Sequence, residues 1–265
     1  MKKTPFHTRL LRFMQIIIWL IRILWTCRSS YLQKDEQQRM QQAQQWSEEC
    51  LRILHIDLDI HGRQPEKLQH TLIVSNHVSW LDIFVLSKIF PVYFVAKKEI
   101  QGWPLIGRAI ASLGTLFINR EQRSESMLIA AAMAEKLECE QNMIFFPEAR
   151  TSEDGLYVLP FKAALFESAI MSQSPILPVA LRYYNTDEQR TTLPAYTRDI
   201  SLWSSFWRIV SMPNIKVRVD IFPFVHYWEQ ENPKIDRFVL KEQVQKMIQE
   251  EVESDILTQR QPEST

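Results

Sequence analysis

The segment NHVSWLD places a histidine, His77, five positions before an aspartate, Asp82. An imidazole accepts a proton near neutral pH, and a carboxylate bonded to its other ring nitrogen fixes the tautomer that does so. On one continuous helix the two residues would lie about 140° apart, which is poor geometry for a hydrogen bond. Ser79 followed by Asp82 matches a helix-start capping box, so we expect His77 to precede the helix and fold back towards Asp82. Such a pair would activate a hydroxyl group. The alternative is that Asp82 only completes the capping box and His77 is an ordinary junction residue.

Three further blocks follow in chain order. KKEIQGWPLIGRAIASLGTLFINR contains Lys98 and ends in Arg120, whose guanidinium suits bidentate binding of a phosphate. FFPEARTSEDG places Glu148 and Arg150 directly after an apolar run, where polar site residues of α/β proteins gather. ILPVAL completes the series.

Other kinds of chemistry have weaker support. A hydrolase would need an activated serine, and Ser79 is the only plausible nucleophile, but no Gly-x-Ser-x-Gly segment occurs. No His-Glu-x-x-His or paired-cysteine spacing occurs, so we expect no metal. Cys27, Cys50 and Cys139 are an odd number and fit a reducing compartment better than a disulfide framework. Lys plus Arg equals Asp plus Glu at 31 each, so the overall charge does not predict a nucleic-acid partner.

The elements that must position these residues alternate along the chain. We predict strands at 54–60, 71–75, 91–97, 115–120, 143–147, 175–183 and within IKVRVDIFPFV. We predict helices in WLDIFVLSKIF and at 105–114, 124–140 and 161–172, with an amphipathic closing helix from 235. This rhythm predicts an α/β fold with a mixed sheet flanked by helices. Only five glycines occur, and none of them forms a glycine-rich phosphate loop.

The N-terminus is basic and then apolar from 13 to 27, which is shorter than the ~20 residues that span a bilayer. On a helix, the polar residues fall on one narrow side with only Trp19 among them: Arg12, Gln15, Arg22 and Thr26. This pattern favours a helix lying in the membrane interface, and the alternative is an amphipathic helix packed on the protein. A second, glutamine-rich helix follows to about residue 54. We therefore divide the chain into membrane-associated helices at 1–50, an α/β domain at 51–230 and a C-terminal helix and tail at 231–265.

The four blocks NHVSWLD, GTLFINR, FPEARTS and ILPVAL together resemble the glycerolipid acyltransferases, in particular the 1-acylglycerol-3-phosphate acyltransferases. The resemblance covers roughly residues 70 to 185. It implies transfer of an acyl group from acyl-coenzyme A or acyl-carrier protein to a lysophospholipid, without a cofactor. It also implies a place among membrane lipids at the cytoplasmic face of the inner membrane.

The resemblance further assigns roles to residues. It makes His77 the base that deprotonates the acceptor hydroxyl and Asp82 the residue that orients it. Arg120 and Gly114 would belong to the acceptor-phosphate site, and Pro178 would shape the acyl channel. Glu148, Arg150 and Lys98 would complete the substrate-binding set; these roles are expectations from the family.

One block departs from the family pattern. Where the family has Gly-Thr-Arg after the glutamate, this chain has Ala149, Arg150 and Thr151, so the arginine is displaced by one position. The acceptor headgroup therefore stays open, and LYVLPFKAALFESA is also similar to relatives that act on lyso-ornithine lipid. A non-catalytic membrane protein with a lipid pocket is a further alternative. Trp203 and Trp207, four positions apart, are predicted to contact lipid near the substrate entrance, and Trp103 has the same preference for the interface.

Overall fold

A computed structural model of the chain describes residues 4–102, 106–119, 123–197, 199–226 and 236–259. Within these residues the chain forms a seven-stranded sheet in the order β1-β7-β6-β2-β5-β3-β4. Its strands are β1 (Ile56–Gly62), β2 (Leu72–Ser75), β3 (Tyr93–Lys97), β4 (Leu116–Ile118), β5 (Met143–Phe145), β6 (Ile176–Tyr184) and β7 (Ile215–Ile221). All neighbours are parallel except β6 and β7, which are antiparallel. The predicted mixed sheet is confirmed.

The parallel part of the sheet brings the predicted site residues to one edge. Strands β2, β3, β4 and β5 run in the same direction, and β6 runs parallel to β2. His77 follows β2, Lys98 follows β3, and Glu148 follows β5. The carboxyl ends of these strands therefore form the edge at which a site can be built.

Helices cover both faces of the sheet. They are α1 (Phe6–Ser29), α2 (Glu36–Ile53), α3 (Leu81–Ile89), α4 (Lys98–Gln101), α5 (Ile106–Ser112), α6 (Arg123–Glu138), α7 (Glu167–Ser172), α8 (Leu202–Val210) and α9 (Arg237–Gln259). Short 3₁₀ turns occupy Tyr31–Gln33 and Ala164–Phe166. Helices α1, α2, α3 and α8 share one apolar cluster with the sheet. Helices α6, α7 and α9 share another cluster with the opposite face.

The strand sequences follow from this layering. Every residue of β2, β5 and β6 is buried, because both faces of these central strands are covered, and their sequences are nearly continuous apolar runs. In β7 burial alternates strictly, with Ile215, Val217 and Val219 inside and the charged residues between them less buried.

The predicted helix at 161–172 is wrong in its first half. The N–H of Phe161 donates to the side chain of Gln245, and that of Lys162 donates to the carbonyl of Pro147. These two N–H groups are bonded outside the segment, so the chain turns only at Ala164 and becomes α-helical at Glu167.

The first helix is longer than the predicted apolar stretch at 13–27, and its polar stripe packs on the protein, which was the alternative to a helix in the interface. Helix α1 has 24 residues and is long and apolar enough, by length and composition only, to cross a membrane. Its polar stripe contacts the protein: Arg12 is buried, Trp19 Nε1 donates to the carbonyl of Trp46 at 3.1 Å, and Arg22 pairs with Glu49 at 2.7 Å. The opposite side carries the exposed apolar residues Phe6, Leu10, Leu11, Met14, Ile17, Ile18, Ile21 and Trp25.

Candidate active site

His77 is held at its backbone and at one ring nitrogen. Its Nδ1 lies 2.8 Å from Asp82 Oδ2, its N–H donates to Glu148 Oε1 at 2.6 Å, and its carbonyl accepts from Ser152 N–H at 2.8 Å. The ring stacks on Phe146 with centroids 4.0 Å apart. Within the part of the chain that the structure describes, no hydrogen bond occupies Nε2. The side chain is 17% exposed, so this second nitrogen is the one that can meet a substrate.

Asp82 is fully buried, and both of its oxygens are bonded. Oδ2 accepts from His77 Nδ1 and from the N–H groups of Val78 and Ser79 at 2.7 and 2.9 Å. Oδ1 accepts from the hydroxyl of Tyr183 on β6. These donors satisfy both oxygens of the carboxylate, and its contact with the ring favours the Nδ1–H tautomer of the imidazole.

The local sequence makes this geometry possible. The expected capping box is formed on its aspartate side, where Asp82 accepts from Ser79 N–H. The serine side differs, since Ser79 Oγ accepts from Leu81 N–H at 3.3 Å, and α3 itself begins at Leu81. His77 therefore lies before the helix, as the spacing predicted.

Asn76 fixes the same junction from the other side. Its amide accepts from the N–H of Leu181 at 2.8 Å and donates to the carbonyl of Leu181 at 3.0 Å. This two-point contact ties the end of β2 to β6. The residue before His77 cannot shift without breaking both hydrogen bonds.

Glu148 lies beneath the site and bonds to backbone. Oε1 accepts from His77 N–H and Oε2 from Leu159 N–H at 2.9 Å, and the residue is only 4% exposed. Burial raises the pKa of Glu148 to about 8, although the two N–H donors oppose the shift. Both oxygens accept from backbone N–H groups, one in the His77 loop and one at Leu159, and a contact of Glu148 with substrate stays a prediction.

Ala149 stands where the family pattern has glycine, and its backbone conformation is one that favours glycine. Its φ is +61°, in the left-handed region that favours glycine. The family's glycine at this position therefore meets a backbone requirement that alanine meets with strain. The next residue, Arg150, is 41% exposed and lies 3.8 Å from Glu153, so its guanidinium stays at the surface of the site.

Lys98 is at the same edge, after β3. Its Nζ lies 3.1 Å from Glu125 Oε1, and Glu125 Oε2 accepts from Asn119 N–H at 3.0 Å. Its side chain is 58% exposed. Arg120 follows Asn119 in the sequence and lies outside the described residues, as does Trp103.

The comparisons with known proteins agree on one family. The family model described as Acyltransferase matches residues 57–182. The 1-acyl-sn-glycerol-3-phosphate acyltransferase of Neisseria meningitidis serogroup B is 40% identical over 253 residues, which cover 96% of each chain. The chain belongs to the acyltransferase family. The lyso-ornithine lipid O-acyltransferase of Rhodobacter capsulatus is 33% identical over 168 residues, or 62% of this chain and 59% of that relative.

A solved structure has the same fold. The crystal structure of the 1-acyl-sn-glycerophosphate (LPA) acyltransferase of Thermotoga maritima superposes with a TM-score of 0.68 over 97% of both chains. The sequence identity is 21%, so this comparison concerns the fold alone. The Neisseria relative and the family model confirm the resemblance to glycerolipid acyltransferases, and the protein is an acyltransferase.

Gly114 lies elsewhere in this acyltransferase than expected. It precedes β4, and its φ is +77° with the Tyr93 ring where a Cβ would be. Since Tyr93 begins β3, Gly114 is at the amino-terminal edge of the sheet, opposite His77. Its positive φ gives it a backbone role in the turn before β4, and its place in a phosphate site stays a prediction.

Pro178 is inside the sheet. It pairs with Val74 of β2, and its carbonyl accepts from Phe222 N–H at 3.1 Å. The role of Pro178 in an acyl channel stays a prediction.

Sequence reasoning missed three residues that hold the acyltransferase site. Tyr183 donates a hydrogen bond to Asp82, Phe146 stacks on His77, and Asn76 hydrogen-bonds the segment after β2 to β6. Asn76 and Phe146 sit inside the family blocks, next to residues that were chosen for their chemistry. Tyr183 lies two positions beyond ILPVAL, and its only sequence signal is a polar group in a buried strand.

Proposed function

We propose that the protein transfers a fatty acyl group from acyl-coenzyme A or acyl-carrier protein to the sn-2 hydroxyl of 1-acylglycerol-3-phosphate, giving phosphatidic acid. The proposal rests on the geometry of the His77 ring. Its Nδ1 is fixed by Asp82 at 2.8 Å, and its Nε2 has no hydrogen-bond partner among the residues that the structure describes. The acceptor is the one for which the Neisseria relative is named, and that relative matches nearly the whole chain.

The reaction would proceed by direct transfer. His77 Nε2 takes the proton of the acceptor hydroxyl while its oxygen attacks the thioester carbonyl. The Asp82 carboxylate, 2.8 Å from Nδ1, stabilises the imidazolium that forms. When the C–S bond breaks, the imidazolium returns the proton to the leaving thiolate, and the new C–O ester bond remains. Backbone N–H groups or a nearby cation would stabilise the oxyanion of the intermediate.

The acceptor phosphate would bind at the cationic edge beside His77. Arg150 and Lys98 both have exposed side chains there, and each pairs with only one carboxylate among the described residues. Arg120, which follows Asn119, is the third member of this proposed set. The guanidinium group of arginine and the ammonium group of lysine are the usual protein partners of phosphate.

The protein would work at the cytoplasmic face of the inner membrane. The exposed apolar side of α1 continues onto α8, because the Phe13 ring lies 5.8 Å from that of Trp203, which is 61% exposed. Flotation with anionic liposomes tests this surface. Replacing Trp203 and Trp207 by serine should weaken binding severalfold, whereas Leu128→Ser on α6 should not, and full retention by the double variant would refute the lipid contact.

The test of function is acyl transfer by membranes that contain the protein. Labelled acyl-coenzyme A or acyl-carrier protein is supplied with lysophosphatidate, lyso-ornithine lipid and other lysolipids. We expect product from lysophosphatidate and its loss in His77→Ala. The control is His61→Ala, which removes a surface histidine that pairs with Asp59 at 2.9 Å. Activity that persists in His77→Ala would refute the mechanism.

A second acceptor has its own support. The block FPEART departs from the family pattern, and the Rhodobacter relative is named for lyso-ornithine lipid. Transfer only to lyso-ornithine lipid in the same assay would keep the mechanism and replace the acceptor. Binding of lysolipid without turnover would instead favour the non-catalytic alternative.

A further inference from the structure

Tyr183 contacts Asp82, the buried member of the reactive pair. It is buried on β6 with 1% of its surface exposed, and its hydroxyl donates to Asp82 Oδ1. Burial next to Asp82 raises the pKa of Tyr183 well above its ordinary value, so the phenol keeps its proton and acts as a donor. It is the one donor in the structure, among described residues, that reaches this oxygen.

The strand direction sets this contact. Successive side chains of a strand point to opposite faces, so Tyr183 faces α3 while Arg182 and Tyr184 face α9. Arg182 and Tyr184 bond to acidic groups of α9, remote from His77. Tyr183 is therefore directed at Asp82 by the same alternation that builds the core.

The two oxygens of Asp82 have different tasks. Oδ2 meets three N–H donors, including His77 Nδ1, while Oδ1 meets only the tyrosine hydroxyl. Rotation about the Cβ–Cγ bond moves both oxygens, so the donors on Oδ2 and the tyrosine hydroxyl on Oδ1 restrain the carboxylate together. The donor on Oδ1 adds a restraint from the opposite side of the group and so narrows the direction of Oδ2 towards the ring.

We propose that Tyr183 is a positioning residue of this acyltransferase, which fixes the Asp82 carboxylate so that Oδ2 holds His77 in the reactive tautomer. This inference rests on the proposed function, since it names a third member of the same hydroxyl-activating site. Removing the hydroxyl takes away the restraint on Oδ1 and leaves that buried oxygen without its donor.

The variant Tyr183→Phe tests this role, and Tyr184→Phe is its matched control. Both remove one hydroxyl from neighbouring residues of β6, and both hydroxyls bond to a carboxylate, but that of Tyr184 bonds to Asp255. We expect kcat to fall about tenfold in Tyr183→Phe, with KM for both substrates unchanged, and kcat to stay within about twofold of wild type in Tyr184→Phe.

The pH profile separates positioning from folding. Without the tyrosine hydroxyl, Oδ2 of Asp82 is held less firmly against the ring and stabilises the imidazolium less. The acidic limb of kcat/KM should therefore move to lower pH in Tyr183→Phe alone. The other titratable or charged groups near the pair are Glu148, whose carboxyl interacts with Asp82, and Arg150; both are unchanged in the two variants. An unchanged kcat and profile in Tyr183→Phe, or equal losses in both variants, would overturn the proposal.

The same variants remain informative if the proposed function fails. Should the wild type transfer no acyl group to any lysolipid, the proposed function is refuted by that result alone. The ¹⁵N spectrum of the His77 ring then decides the inference. We expect the Nδ1–H tautomer to dominate in wild type and in Tyr184→Phe and to decrease in Tyr183→Phe; an unchanged spectrum would contradict it.

Discussion

Replacing Asp82 by asparagine tests the reactive pair with little change in shape. The asparagine oxygen can take the place of Oδ2 and keep the N–H groups of Val78 and Ser79 as donors. Its amide would then face the hydroxyl of Tyr183, which can rotate to accept. We therefore expect the folded state to lose only about 1 kcal/mol. What disappears is the negative charge next to His77.

The magnitude follows from the geometry. His77 Nδ1 and Asp82 Oδ2 are 2.8 Å apart, which puts the centres of charge of the imidazolium and the carboxylate about 4 Å apart. At an effective dielectric constant of about 20, two unit charges at that separation attract by about 4 kcal/mol. This attraction exists only once the ring has taken the proton, so it lowers the barrier. Its loss predicts a kcat about 10³-fold lower.

The assay is acyl transfer by purified protein in mixed micelles, with Asp59→Asn as the control. Asp59 forms the other aspartate–histidine pair, with His61 at 2.9 Å on the exposed strand β1. That variant removes the same kind of contact at a distance from the site and should leave kcat unchanged. Two results would refute the reasoning: Asp82→Asn retaining more than about a tenth of kcat, or Asp59→Asn losing as much.

The remaining predictions concern stability. Ala149→Gly should raise the melting temperature by about 1–2 °C in detergent, because glycine removes left-handed strain, while Ala163→Gly at φ −75° should lower it. Burial raises the pKa of Glu148 from 4.5 to about 8. Its protonated form therefore contributes fully to the free energy of unfolding below the unfolded-state pKa, and this contribution is lost as the pH rises through about 8. In chemical unfolding, the free energy of unfolding of wild type should therefore fall by on the order of 3 kcal/mol relative to that of Glu148→Gln between pH 5 and 8. Equal pH dependence of the two free energies would refute this. Arg12→Leu should destabilise the protein by about 2–4 kcal/mol, because the carbonyls of Val210 and Met212 lose their donor; a change under about 0.5 kcal/mol would contradict it.

The strands could be predicted wherever the burial of a sheet face determines which of their residues are apolar. The strict alternation of β7 and the continuous apolar runs of β2, β5 and β6 all gave correct strands, because a covered face demands apolar residues. The segment 161–163 failed because its N–H groups bond to Gln245 and Pro147, which are distant in sequence. Local propensity contains no information about such partners.

The site was predictable in its reactive pair and less so in its surroundings. His77 and Asp82 meet because the helix starts after Ser79, which the sequence indicates. Gly114 lies before β4, at the amino-terminal edge of the sheet and opposite His77, which its position before a predicted strand already indicates. The bonding of Glu148 was not predictable, because a carboxylate that serves backbone N–H groups has the same sequence signature as one that serves substrate.

The polar stripe of α1 shows why a pattern alone leaves orientation open. The stripe favoured a helix lying in the membrane interface, with a helix packed on the protein as the alternative, and Arg12 and Arg22 of the stripe bond to the protein. These residues are ten positions apart, about 15 Å along the helix, so α1 is fixed to the domain at two distant points. If α1 tilted away from the domain, one of these contacts would break, and loss of the Arg12 contact would leave two buried carbonyls without a donor. The bonding of the stripe therefore keeps α1 against the domain. We propose that its apolar side, continued by Trp203, is the side that enters the lipid.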